Sequence, residues 1–142
     1  MAYKQEPASL FKRLVAIGYD GLLLIAVLFI ATALTLPLNG GVAITNQHPY
    51  FPFLVIYWFL VSFIFYGWFW THGGQTLGMK TWKLELISTD HKKITWNQAF
   101  IRFCCAIFST LLFGLGFLWS LFNEKKATLH DILSNTMLVD NN

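Results

Sequence analysis

Three long apolar stretches separated by short polar ones set the pattern of this chain. The first runs from Leu14 to Leu38, where the only ionisable side chains are Tyr19 and Asp20. A helix of that length covers the roughly 30 Å hydrocarbon core of a bilayer at about 1.5 Å per residue. Ser9 is the expected cap, leaving Lys12 and Arg13 at the membrane surface. The second stretch, Phe51 to about Trp70, has no formal charge and is crowded with aromatic rings. Its Trp68–Trp70 cluster fits an aromatic belt at a membrane boundary, and the other rings read as packing and lipid contact. The third, Asn97–Phe122, has Arg102 near its start and Gly114-Leu115-Gly116 in its middle. Two glycines in one turn weaken a continuous helix, and Asn97 is its candidate cap.

Between these stretches the pattern changes period. Asn39-Gly40-Gly41 reads as a turn, and Pro49 and Pro52 bracket the entry to the second helix. Thr71–Lys80 is a glycine-rich polar linker without the spacing of a phosphate-binding loop. Trp82–Ile87 alternates in strand fashion, Ser88–Lys93 is a turn, and Ile94-Thr95-Trp96 is expected to return as a second strand. The prediction is a small β-hairpin over about 82–96. Such a hairpin is marginal alone, and Thr136–Val139, after a short helix within Ala127–Leu133, is the candidate third strand beside Lys83–Ile87.

Composition agrees with a membrane protein. The 142 residues are 56% hydrophobic and only 12% charged, with a mean hydropathy of +0.53, where a soluble domain carries about a quarter charged residues. That length suits one domain over 1–142. The net charge of +3 is scattered among apolar spans, which argues against nucleic acid as a partner. Cys104 and Cys105 are adjacent and give no redox compartment. The first stretch is too long for a signal-peptide core and lacks an Ala-x-Ala cleavage site, so it reads as a retained anchor.

All ten Lys and Arg lie in the N-terminal segment, in Thr71–Arg102, or at Lys125 and Lys126, and Asn39–Tyr50 has none. The positive-inside rule then places the N-terminus and Thr71–Asn97 in the cytoplasm and Asn39–Tyr50 outside. A single third crossing would carry Lys125 and Lys126 outside. A hairpin bent at Gly114–Gly116 returns them, partly re-entrant because its arms are short.

Arg13 and Asp20 are seven residues apart and share a helix face, with Asp20 roughly 10 Å deeper. A carboxylate at depth costs about 2.5–3.5 kcal/mol unless paired, protonated or wetted, so some other element must meet it. Tyr66 is the preferred partner, with Ser62 at matching depth and Arg13 and Arg102 next. Asp20 is either a proton or cation site or a structural carboxyl holding helices together. Arg13 and Arg102 read as interface anchors that supply countercharge. Asp131 is expected to cap a helix or to pair with Lys80, Arg13 or Arg102. His130-Asp131 with His72 or His91 lacks the spacing of a metal site, so no metal or cofactor is expected. No nucleophile elbow or paired-carboxylate site is present, which argues against an enzyme.

Three segments also resemble a known family in the right order. Arg13 with Asp20 resembles the RDD family, named for one arginine and two aspartates. Gly74-Gln75-Thr76-Leu77-Gly78-Met79-Lys80, ahead of Lys83–Ile87, is similar to its segment after the second helix, with Met79 a minor departure. Leu129-His130-Asp131-Ile132-Leu133-Ser134-Asn135-Thr136-Met137-Leu138-Val139 resembles its closing motif, so Asp131 would be the second aspartate. The resemblance implies a small bacterial or archaeal integral membrane protein, with transport of unknown ligands or cation–proton exchange suggested for members.

The sequence therefore predicts an all-α membrane protein: a small transmembrane bundle of two full spans, a bent third segment and a small cytoplasmic β element. It is expected in the cell membrane, multi-pass, with a cytoplasmic N-terminus. The expected function is a transporter or transporter subunit for small cations, protons or another small solute. The alternative is a non-transporting module that binds or stabilises partner membrane proteins. Its partners would be the lipid bilayer and a second copy or another membrane protein.

Overall fold

The computed structural model describes residues 6–112, 114–124 and 127–141. Lys4, Lys125 and Lys126, on which the expected orientation partly rests, lie outside the described residues. Strand β1 (Glu6–Pro7) leads into helix α1 (Leu10–Ala33), where the Ser9 side chain accepts from the Lys12 amide at 3.4 Å, the expected cap. After a short 3-10 turn at Pro37–Asn39 the chain enters α2 (Phe51–Thr71). Both helices are long and apolar enough to cross a membrane, and both leave most of their surface uncovered by the rest of the chain. Leu22, Ile25, Phe29 and Phe53 are among the large side chains exposed along them.

The glycine-rich linker contains a five-residue helix, α3 (Leu77–Thr81), capped by Thr76. Strand β2 (Leu84–Ser88) follows, with alternate residues buried as the sequence alternation predicts. The predicted hairpin over 82–96 does not form. Thr95 instead caps α4 (Trp96–Leu111): its hydroxyl accepts from the Gln98 amide at 3.2 Å while the Gln98 side chain accepts from the Thr95 amide at 3.1 Å. That reciprocal box commits Thr95 and Trp96 to a helix start and displaces Asn97 from the capping role. The partner of β2 is the C-terminal strand β3 (Thr136–Asp140), antiparallel with Leu86 opposite Leu138 and Ser88 opposite Thr136. β1 pairs on the other edge of β3, giving the order β1-β3-β2.

The third apolar segment breaks where the glycines are. α4 ends at Leu111, Gly114 adopts φ 75°, and α5 (Leu115–Phe122) starts in a new direction. An αL residue there ends one helix and caps the next, a conformation glycine adopts without a Cβ penalty. α6 (Leu129–Leu133) then packs on α4 and α5, and the chain ends in β3 beside the start of α1. The third segment is therefore bent, and the sheet gathers the two ends of the described chain at one end of the bundle. Its buried face, with Leu84, Leu86 and Leu138, packs with Ala16, Trp70, Met79 and Phe103 from the helices.

Candidate functional site

Arg13, Ala16 and Asp20 are each 2% exposed, one buried stripe on α1 at the spacing the sequence predicts. Asp20 is buried in protein, as expected, but its partner is not Tyr66. The Thr76 hydroxyl donates to Oδ2, and the Gly78 amide donates to Oδ1 at 2.8 Å. Thr76 also accepts from the Met79 amide at 3.2 Å, so one residue caps α3 and tethers it to α1. Asp20 thus takes up a donor that the first turn of α3 leaves without a helical partner. Ser62 donates instead to the Trp58 carbonyl, one turn back on α2.

Asp131 is completely buried and receives both arginines. Arg13 donates from Nη1 to Asp131 Oδ2 at 2.6 Å, from Nε to the Ala8 carbonyl at 3.1 Å, and from Nη2 to the Leu138 carbonyl at 3.4 Å. Arg102 donates from Nη1 to Asp131 Oδ1 and, at 3.1 Å, to Thr136 Oγ1, while its guanidinium lies 5.5 Å above the Trp70 ring. The two arginines are therefore not surface anchors reaching for headgroups, as their places in the sequence suggest: they are 2% and 4% exposed. Asp131 also accepts from the Thr128 amide at 3.1 Å, capping its own helix. It fills both expected roles, though Lys80 takes no part: Lys80 is exposed on α3 and makes no ion pair among the described residues. The resulting clasp joins α1, α4 and α6 directly beneath the sheet.

Burial by itself would raise the Asp131 carboxyl, but Arg102 and then Arg13 overcome it and hold the group below the ordinary carboxylate range. His130, 4% exposed, is held neutral, with its pKa pushed down to about 3. Burial is the main cause, Arg102 and Arg13 add to it, and Asp131 opposes them. The clasp thus carries two cations against one anion.

Above the clasp, α1 and α4 both pack on α2 but barely meet one another. A cavity of about 460 Å³ lies between the three helices. Its walls are apolar, including Leu24, Val55, Phe59 and Ile107, and its polar lining includes Asp20, Ser62, Tyr66 and Arg102. Those four residues stand out in the sequence by their depth in apolar stretches, whereas Thr76, Gly78, Trp70 and Thr136 do not. A Thr followed immediately by the start of a helix is the available signal for Thr76.

This arrangement defines a class: a mostly helical chain with two helices of membrane-spanning length, a small sheet and a buried Arg–Asp–Arg clasp. The chain belongs to the RDD family, which it matches over residues 7–135. It is similar to the uncharacterized protein YxaI of Bacillus subtilis (strain 168), at 29% identity over 153 positions covering 95% of this chain and 98% of that protein. No solved structure matches.

Proposed function

We propose that this is a multi-pass protein of the cell membrane, with its sheet and clasp on the cytoplasmic side, acting as a transporter or transporter subunit for a small solute. The apolar run from Gly21 to Leu38, α-helical to Ala33 and continued by a turn and the 3-10 segment, would cover roughly 27 Å along the helix axis, close to the thickness of the hydrocarbon core. Asp20 and the linker after α2 then lie at its cytoplasmic edge rather than deep within it. The exposed apolar faces of α1 and α2 would meet lipid.

The observation that carries transport is the cavity between α1, α2 and α4, because it puts the Asp20 carboxylate, the hydroxyls of Ser62, Tyr66 and Thr110, and the guanidiniums of Arg13 and Arg102 in a largely apolar space. Protons and small cations are the candidate cargo at Asp20, and a second copy or a partner would complete any path across the membrane. Purified protein in proteoliposomes should carry proton or alkali-cation flux above that of protein-free vesicles. Asp20→Asn, which keeps the shape of the side chain, should abolish the pH dependence of that flux while the protein still folds. Absence of flux from well-folded wild type would defeat the transport reading.

One observation favours the second reading, a non-transporting module that stabilises partner membrane proteins. Arg13, Asp20 and Asp131 all spend their bonds within the chain, as structural residues do.

A further inference from the structure

The guanidinium of Arg102 is only part used. Its accepting partners are Asp131 and Thr136, both on Nη1, so Nε and Nη2 donate to no described residue although the side chain is nine-tenths buried. A guanidinium carries five N–H donors, and buried donors in folded proteins almost always find an acceptor. Arg102 lines the cavity, and so does Tyr66, whose hydroxyl likewise makes no hydrogen bond among the described residues. On the α1 side Asp20 also lines the cavity, but both of its oxygens are engaged by the Thr76–Gly78 turn.

Charge points the same way. Arg13 and Arg102 share the single carboxylate of Asp131, which leaves one positive charge in excess within the clasp, while the other carboxylate lining the cavity, Asp20, is turned to the Thr76–Gly78 donors. Away from the clasp the walls are largely hydrocarbon, from Leu24 on α1 to Ile107 and Leu111 on α4. The volume lies within the usual range for small-molecule sites. α1 and α4 barely meet, and although α5 touches both, the part of the gap that it leaves would face the acyl chains of the surrounding bilayer once the two long helices span it.

We propose that this cavity binds a single-chain amphiphile with an oxyanion head, the head accepting from Arg102 and Tyr66 and the acyl chain running up between α1 and α4. The proposal rests on the membrane placement proposed for α1 and α2. A free fatty acid and a single-chain phospholipid with a terminal phosphate share this chemistry. Both oxyanion types accept paired donors from arginine.

Trp58 and Trp70 line the cavity, so a brominated chain seated there quenches their fluorescence. The protein is placed in nanodiscs of zwitterionic phospholipid and titrated with dibromostearic acid at a pH where the acid is ionised. The expected result is a saturable quenching component, above the linear background from lipid-facing tryptophans. Dibromostearyl alcohol, with the same chain and no anion, should give the linear part alone. Ala106→Phe fills the cavity without touching the clasp and should remove the saturable component. Tyr66→Phe, which loses only the hydroxyl, should weaken binding by roughly fivefold, about what one hydrogen bond contributes. Competition by unlabelled palmitate or by palmitoyl lysophosphatidate then tells the two sources apart. Purely linear quenching by the acid, equal binding of the alcohol, or saturable quenching that survives Ala106→Phe would each overturn the proposal. A chain that will not enter nanodiscs would instead refute the membrane placement.

Discussion

Asp131→Asn is expected to cost roughly 3–5 kcal/mol of stability, the usual penalty for breaking a buried ion pair by removing one partner. The substitution keeps the shape of the side chain but leaves the guanidiniums of Arg13 and Arg102 buried without a countercharge. It also weakens the cap of α6, since the same carboxylate accepts from the Thr128 amide. SDS titration in mixed micelles, read by tryptophan fluorescence, should show the variant unfolding at much lower denaturant. A loss below about 1 kcal/mol, the value of an exposed pair, would mean that the clasp is not buried as described. The pH dependence follows from the two shifted groups. Asp131 is held below its ordinary 3.8, so its contribution is complete above that value and is lost only as the pH falls through the lower folded value. His130 drops from 6.5 to about 3, so between those values the unfolded chain binds a proton that the native one refuses. Stability should therefore decline as pH falls from 6.5 toward 3, and His130→Gln should flatten that decline.

Gly78→Ala should be nearly as damaging, for a steric reason. A Cβ at Gly78 would lie 2.4 Å from the Ala16 carbonyl oxygen and 2.9 Å from Asp20 Oδ1. The first obstacle is backbone within a helix and cannot swing aside, so α3 would have to lift away from α1. Lifting breaks the Gly78 amide bond to Asp20 and disturbs the one from Thr76, leaving a buried carboxylate short of donors. Overpacking costs about 1–3 kcal/mol and an unsatisfied buried acceptor about 1–3 more, so a total of about 2–6 kcal/mol is expected. Gly73→Ala serves as control, because nothing lies within 4 Å of a Cβ built there. Equal stability of the two variants in the same titration would show that α3 does not pack against α1 at Asp20.

The parts of the fold written in local periodicity were legible. The apolar lengths gave α1 and α2, the shared face of Arg13 and Asp20 followed from helix geometry, alternation marked β2, and the β-branched ends of Thr136–Val139 marked β3. Gly114 marked the break in the third segment because backbone freedom is a local property. What failed depended on partners distant in sequence. Ile94–Trp96 was a reasonable return strand for β2, but the edge went to Thr136–Asp140 and the Thr95–Gln98 box pulled the nearer segment into a helix. The partner of Asp20 was hidden for a related reason: α3 is a five-residue helix inside a glycine-rich stretch, too short to show a period. Arg13, Arg102 and Asp131 each stand out in the sequence, yet only the folded chain shows that one carboxylate serves both guanidiniums.

The central claim is that the chain leaves and returns on one side, so that β1, β2, β3 and the clasp assemble there. Reporter fusions placed after Tyr50 and after Asn142 test it most directly. They should report opposite sides of the membrane, with Tyr50 outside and Asn142 in the cytoplasm. Fusions that both report the outside would mean that the segment from Trp96 to Phe122 crosses once, which would part β3 from β1 and contradict the one-sided assembly of sheet and clasp.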